Sequence, residues 1–437
     1  MSYHPVDVVE VRAWDRRVGA VARDPDTGHY AFAYAPEWIL TGIELAPLTM
    51  PLRTGSYQFP ELRSETFQGL PALLADALPD AFGNALVNAW MADQGIVLER
   101  VSSLDRLAYA ADRALGALEF RPPARAVGVD PPTAVQLADL VQAARQTVRG
   151  QFASDETARA ALQQLIQVGT SAGGARAKAV VAFNPATYQV RSACGPGEPG
   201  FEQWLIKLDG VSASGMDGHG DDLGESVPYG RIEYAYWLMA TRAGVEMTEC
   251  LLLAEGPRRH FMTRRFDRTP DGGRIHAASL CALVHLDFNL IATHSYDQYL
   301  QTVTSLGLGP DALAQAYRRM VFNVAAANHD DHTKNFAFLC SPDGLWALAP
   351  AFDVTHAYRP DSVWTSRHLL SVNGHFEGIS RDDLEAVGER NRVPGYRRIR
   401  REVVAAMESW PEHAAAAEVP DDVAAQIGAD IDRFRPA

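Results

Sequence analysis

Eight consecutive residues, Asn328-His329-Asp330-Asp331-His332-Thr333-Lys334-Asn335, hold the densest set of groups able to do chemistry. They follow a helical stretch with an apolar stripe of Tyr317, Met320, Val321 and Val324, and they precede the apolar run Phe336–Leu339. A polar octet between two buried elements is costly to desolvate unless its groups pair with one another, with a ligand or with a metal. Asp353 follows a turn at Ser341-Pro342-Asp343-Gly344 and a strand-like Leu345–Ala349. An aspartate after a strand often only caps a helix. Here a hairpin would bring it beside Asp330 and Asn335. Two carboxylates and an amide suit Mg²⁺, which takes oxygen ligands and is often completed by substrate phosphates.

Upstream, Gly169-Thr170-Ser171-Ala172-Gly173-Gly174-Ala175-Arg176-Ala177-Lys178 is rich in glycine. Such residues let backbone N–H groups approach a phosphate, and Lys178 adds a point charge. The same stretch spells GxSxG, the nucleophile elbow of serine hydrolases. That elbow needs a strand before the serine and a helix after it, and the pattern here is the reverse. Lys207 lies near the end of the aliphatic run Trp204–Leu208. A lysine in such a strand faces solvent or a charged partner, and Glu233 on the next helix is the candidate. A strand lysine tethered by a helical glutamate is how protein kinases hold ATP phosphates.

The order decides more than any one motif: glycine-rich loop, hairpin, strand lysine, helix glutamate, further strands, a helical part, Asp-x-His-x-Lys-Asn, hairpin, Phe352-Asp353. That is the part list of phosphoryl transfer in protein-kinase order, without the usual GxGxxG, HRD and DFG spellings.

The elements that must position these groups are legible in outline. Val9, Val11 and Ala13 alternate with Glu10 and Arg12 as a half-buried strand does. A turn from Asp15 leads to a second strand over 18–22, and Asp26–Gly28 to a third with Tyr30, Phe32 and Tyr34. Leu78, Phe82 and Leu86 recur at helical spacing after Pro79, and a second helix begins near Ser103. The Pro-rich Arg121–Thr133 marks a domain boundary. Beyond it come helical patterns, a hairpin turning at Asn184–Pro185, a Gly/Asp-rich stretch after Asp209 that reads as a mobile loop, strands over 249–268, and a mainly helical remainder.

Composition sets limits. The chain has 437 residues, 47% hydrophobic and 22% charged, as in soluble globular proteins. Its net charge of -14 argues against non-specific nucleic-acid binding by this chain alone. The four cysteines show no CxxC spacing, which excludes a disulfide scaffold and a cysteine zinc site. The charged N-terminus does not read as a signal peptide, and no apolar run spans a bilayer. A cytoplasmic protein without a membrane partner is expected.

On these segments the chain resembles the HipA family, serine/threonine kinase toxins of bacterial type II toxin–antitoxin systems. The resemblance is carried by LPALLADALPDAFGNALVNAWM and ALGALEF in the first part, and by SAGGARAK, WLIKL, RRFDR, DDHTKNF and LAPAFDV in the second. It implies an α+β fold: a two-lobed, protein-kinase-like domain with a β-rich N-lobe and a helical C-lobe, preceded by a small α/β domain. The expected bounds are 1–125 for the first domain and 134–437 for the kinase domain, with its lobes dividing near 266. Carried over residue by residue, Asp330 becomes the catalytic base and Asn335 and Asp353 the Mg²⁺ ligands. Lys207 contacts the ATP phosphates, and Gly173, Gly174, Ala175, Arg176, Ala177 and Lys178 cover the nucleotide. Arg264, Arg265 and Phe266 form the hinge beside adenine. His332, Thr333 and Lys334 line the phosphate side, and Phe352 precedes the metal aspartate. Ser171 matches a serine whose autophosphorylation switches such kinases off, and Glu233 stands as ion-pair partner. Arg264 replaces the acidic residue that usually opens the hinge motif. The implied partners are a protein substrate such as an aminoacyl-tRNA synthetase, a helix-turn-helix antitoxin and, only through it, DNA. Two alternatives stand beside this: a catalytically weak kinase fold acting as antitoxin-binding co-repressor, and a metal-dependent phosphohydrolase built on His329, Asp330 and His332.

Overall fold

The computed structural model describes residues 5–93, 95–122, 177–193, 198–211 and 228–436, with 137, 139, 141 and 144. Most of the expected linker, the helical patterns up to 176 and most of the Gly/Asp-rich stretch lie outside these residues. The chain divides into two compact units. One comprises Met1–Val227, Leu253–Ala277 and Ser341–Gly344; the other comprises Pro228–Leu252, Ala278–Cys340 and Leu345–Ala437.

In the first unit, β1 (Val8–Ala13), β2 (Arg16–Arg23), β3 (Tyr30–Tyr34), β4 (Ser56–Tyr57) and β5 (Glu119–Arg121) form an antiparallel sheet in the order β4-β3-β2-β1-β5. The period-2 pattern is realised, with Val9, Val11 and Ala13 fully buried. The first turn is Trp14-Asp15 rather than a loop running to Arg17, so β2 begins earlier than expected. Both turn residues have positive φ, 49° and 59°, as the two-residue turn that matches strand twist requires. Helix α1 (Ala81–Asp93) starts where Asp80 Oδ1 accepts the Gly83 N–H at 2.6 Å. Helix α2 (Ser103–Ala110) is capped by Ser102, not Ser103. Asp105 lies three residues beyond Ser102 and closes a reciprocal capping box.

The second sheet contains β6 (Lys178–Asn184), β7 (Gln189–Ser192), β8 (Glu202–Lys207), β9 (Cys250–Glu255) and β10 (Arg258–Arg264), ordered β7-β6-β8-β10-β9. The expected turn forms because Asn184 Oδ1 accepts the N–H groups of Ala186 and Thr187, at 3.0 and 3.2 Å. At the far end of β8, His260 Nδ1 accepts the Asp209 N–H at 2.9 Å, leaving Nε2 to donate to Glu255 at 3.1 Å. Strand β8 is thereby fastened to β10 just beyond Lys207.

The electrostatic centre of this unit is Asp267, fully buried directly after the expected hinge. Its carboxylate accepts Arg265 Nε at 2.8 Å, Arg268 Nη1 at 2.7 Å and the Gly116 N–H at 2.6 Å. Burial alone would raise its pKa. Arg265 and Arg268 overturn that and hold it well below the usual carboxylate range. Burial lowers the Arg268 guanidinium to about 9. Gly116 has φ +85°, and a Cβ there would meet the Ala277 nitrogen at 2.7 Å. Only glycine allows this approach.

In the second unit, α3 (Tyr229–Arg242), α4 (Tyr296–Ser305) and α5 (Gly309–Ala325) pack with α6 (Arg381–Arg390), α7 (Tyr396–Ala406), α8 (Trp410–Ala416) and α9 (Asp421–Phe434) around one apolar core. The α5 stripe Tyr317, Met320, Val321 and Val324 is buried there as its spacing predicts. Strand β11 (His276–Ser279) leads into this unit. Strand β12 (His294–Ser295) lies later in the chain, before the hairpin β13 (Ala337–Cys340) and β14 (Trp346–Leu348). A short β15 (Leu370–Ser371) pairs in parallel with β12. Cys250, Cys281 and Cys340 are buried and are not joined in disulfides. Among the described residues no helix is long and apolar enough to cross a membrane.

Replacing Asp267 by Ala leaves two buried guanidiniums uncompensated and is expected to cost about 3–5 kcal/mol in denaturant unfolding. Acid dependence separates this carboxylate from buried imidazoles. Asp267 contributes its stability at all pH above the ordinary carboxylate value of 3.8 and loses it only below. His276, whose Nε2 donates to Leu45 O at 3.1 Å, is lowered by burial from 6.5 to about 4. Between those values the unfolded chain binds a proton that the folded chain refuses. Stability therefore falls on acidification by up to about 1.4 kcal/mol per pH unit for this one group. Unfolding curves of His276→Asn across pH 6.5 to 4 should show a correspondingly flatter slope.

Candidate active site

Helix α5 ends in a left-handed residue, Ala327 at φ 52°, and the Asn328 N–H returns to Asn323 O at 3.0 Å. This closure releases the chain into the polar octet. Beneath the octet runs a buried chain of hydrogen bonds. Asn328 Nδ2 donates to Asn323 Oδ1 at 2.9 Å, Asn323 Nδ2 to the Tyr296 hydroxyl at 3.0 Å, and that hydroxyl to Asp331 Oδ2 at 2.7 Å. Asp331 also accepts from His368 Nδ1 at 2.9 Å and from the Leu369 N–H at 2.7 Å. The burial of the phenol and the adjacent Asp331 charge keep Tyr296 protonated far above the ordinary tyrosine range.

The two neighbouring aspartates therefore differ in kind. Asp331 is 1% exposed and locked by three donors. The side chain of Asp330 is 45% exposed. His329 is buried beside them, its Nδ1 donating to Thr365 O at 3.2 Å, and burial lowers its pKa to about 3. It is a neutral packing residue at any physiological pH.

Asn335 Nδ2 donates to Asp330 O at 2.8 Å, which orients the amide and leaves its Oδ1 as acceptor. Thr333 is buried with its hydroxyl on Leu286 O at 2.6 Å. His332 lies against the Phe288 ring, centroids 5.6 Å apart, with Nε2 3.9 Å from Asp330 Oδ1. Lys334 Nζ sits 4.7 Å over the same ring. Beyond the β13–β14 hairpin, the Ala349 N–H bonds Ala337 O at 3.1 Å, and Arg319 Nη2 holds Ala349 O at 2.6 Å. Asp353 follows with φ 55°, in the left-handed region.

Asp330, Asn335 and Asp353 line one cleft, together with Phe352, Arg319 and Asn328. The hairpin brings together two carboxylates and an amide oxygen that are separated in sequence, as expected. Hard oxygen donors of this kind fit Mg²⁺. Glu233 is buried near the start of α3.

The remaining candidates belong to the first unit. Lys207 faces Lys178 across β6–β8 and Phe261 across β8–β10, with its Nζ 5.7 Å from the Phe261 ring. Ala177 is buried and its carbonyl accepts the Leu208 N–H at 3.0 Å. Lys178 is itself buried, its Nζ 3.0 Å from Asp80 Oδ2. In the expected hinge, Arg264 is exposed and the Arg265 N–H is bonded to Gln203 O at 2.9 Å. The Arg265 side chain is spent on Asp267, and Phe266 is half-buried. Ser171, Gly173, Gly174, Ala175 and Arg176 lie outside the described residues. Sequence reasoning gave no individual role to Asp331, although it lies in the octet, nor to Asn323, Tyr296, His368, Asp267 and Asp80. A signal existed for two: Asn323 is the polar residue beside an apolar stripe, and Asp267 stands between arginines in RRFDR.

Comparison with known proteins agrees with this layout. The HipA N-terminal domain family matches residues 9–121, and the HipA-like C-terminal domain family matches residues 170–417. Y4dM of Sinorhizobium fredii, provisionally named a kinase, is 25% identical over 175 residues, 36% of this chain. The chain thus spans 38% of the length of that relative. A chain from the Shewanella oneidensis complex of the toxin–antitoxin system HipA, HipB and its operator DNA superposes with a TM-score of 0.66 at 16% identity. The likeness covers 98% of this chain and 97% of that one, and it speaks for the fold.

Because three donors converge on Asp331, Asp331→Asn presents an NH₂ group where an acceptor is needed. A loss of about 2–3 kcal/mol in unfolding free energy is expected, read by chemical denaturation. Tyr296→Phe, which removes one of the three donors, should cost less.

Proposed function

The chain belongs to the HipA family, and from that premise we propose that it is an ATP- and Mg²⁺-dependent serine/threonine protein kinase that acts as the toxin of a toxin–antitoxin pair. The observation that carries the reading is the shared cleft of Asp330, Asn335 and Asp353, with the first aspartate open and its neighbour locked. In this reading the Asp330 carboxylate accepts a hydrogen bond from the hydroxyl of a protein substrate and takes its proton. The buried network on Asp331 fixes the residue next to that carboxylate, and positioning is the larger part of what a phosphoryl-transfer enzyme must do. Asn335 and Asp353 would hold Mg²⁺. The ion, when bound, neutralises charge on the phosphates. Lys207 pairs with those phosphates, His332, Thr333 and Lys334 line their side of the cleft, and the backbone of Arg264–Phe266 faces adenine.

Regulation follows the same electrostatics. A phosphate on Ser171 brings close to two negative charges to the loop Gly173–Lys178, which then repels the nucleotide it covered. A helix-turn-helix antitoxin is the partner that the family resemblance implies, and the solved chain of like fold comes from a complex with HipB and operator DNA. With a net charge of -14 the chain meets DNA through that partner. The target class implied by the resemblance is a translation component such as an aminoacyl-tRNA synthetase. The hydrolase alternative lacks support, because His329 is buried and bonded to Thr365. Among the described residues no group of three or more His, Cys, Asp or Glu side chains is arranged to hold a metal.

Asp330→Asn removes the acceptor and keeps the shape. Transfer of labelled γ-phosphate to protein should fall at least about 10²-fold, with the melting temperature unchanged. Wild-type transfer by that variant would reject Asp330 as the base.

A further inference from the structure

Lys178 ends the glycine-rich segment and opens β6, where it stands directly opposite Lys207 in the antiparallel pairing with β8. Residues opposed in this way project from the same face of a sheet, about 5 Å apart at Cβ. Two like charges so placed repel unless an anion lies between or beside them. The structure supplies one. Asp80, with its side chain 4% exposed, places Oδ2 3.0 Å from the equally buried Lys178 Nζ. Its other oxygen is occupied by the Gly83 N–H at the start of α1. Asp80 is thus fixed by its own helix and cannot follow Lys178 elsewhere. A buried lysine held by a fixed carboxylate is poorly placed to reach a ligand in solvent.

We propose that Lys178 serves the nucleotide site as a strut rather than as a phosphate ligand, and that Asp80 is a positioning residue for ATP binding. The inference rests on the kinase reading above. Asp80 neutralises Lys178 and pins the first residue of β6. Lys207, directly opposite, is the lysine that the kinase reading assigns to the phosphates, and the pinned β6 fixes the strand pairing that positions it. The segment matched by the HipA N-terminal domain family then contributes to nucleotide affinity without touching the nucleotide. Asp80 acts entirely through Lys178, so the effects of the two residues cannot add.

A double-mutant cycle tests this on the full chain, with ATP affinity read by calorimetry in the presence of Mg²⁺ and KM and kcat by phosphate transfer. Asn retains the helix-capping oxygen, so Asp80→Asn removes the charge while keeping the cap. Asp80→Asn and Lys178→Gln are each expected to weaken ATP binding and raise KM about tenfold, with kcat at saturating ATP held within about twofold. The double variant should be no weaker than either single variant. If Asp80→Asn fails to fold, comparing Lys178→Gln with the double variant carries the same test, and equal ATP affinity is expected. Wild-type affinity in Asp80→Asn would overturn the inference, leaving Asp80 a structural ion pair. So would additive losses, which would place Lys178 on the phosphates themselves. A wild-type chain that binds no ATP would overturn the kinase reading, a result obtained before any substitution is made.

Discussion

The helical unit depends on keeping one aspartate dry so that its neighbour can be wet. Asp331 is buried, and a buried carboxylate is tolerable only when donors surround it. Tyr296 and the adjacent pair His368 and Leu369 meet that demand from two separate places along the chain. Their convergence fixes the peptide between the two aspartates, and with it the direction in which Asp330 leaves the backbone. Asn335 returns to the Asp330 carbonyl and closes the loop from the other side. The Asp330 carboxylate thus leaves a stretch of backbone whose neighbours on both sides are restrained.

A comparable arrangement governs the β-rich unit. Asp267 gathers Arg265, Arg268 and the Gly116 amide into one buried cluster. Segments far apart in sequence are thereby joined at the end of β10. His260 does the same for the far end of β8 with neutral chemistry, accepting at one nitrogen and donating at the other. Asp330, Asn335, Asp353 and Lys207, all proposed to meet substrate, are half-exposed, and the buried groups next to them carry the positional information.

This division explains what could be read in the sequence. Strand alternation at Val9–Ala13, the α5 stripe and the Asn184 turn depend on neighbours within a few residues, and the structure shows them where the pattern put them. The convergence of Asp330, Asn335 and Asp353 on one cleft was legible because a hairpin between them could be seen. The first turn and the Ser102 cap moved by a residue or two, since two serines and two turn geometries compete locally and a single side chain decides. Tyr296, His368 and Asp80 could not have been found. Each looks like an ordinary residue until folding brings its partner from dozens of positions away, and no local spacing encodes that encounter.

Asp353 occupies the left-handed region at φ 55°. Among the common residues, glycine, asparagine and aspartate enter that region at little cost. The backbone thus favours these three before any ligand is considered, and only one of them carries a charge. Conformation selects the shortlist there and electrostatics makes the final choice. The corollary concerns how that position tolerates change: asparagine keeps the backbone preference while cancelling the charge, whereas glutamate keeps the charge on a longer side chain that enters this region at a greater cost.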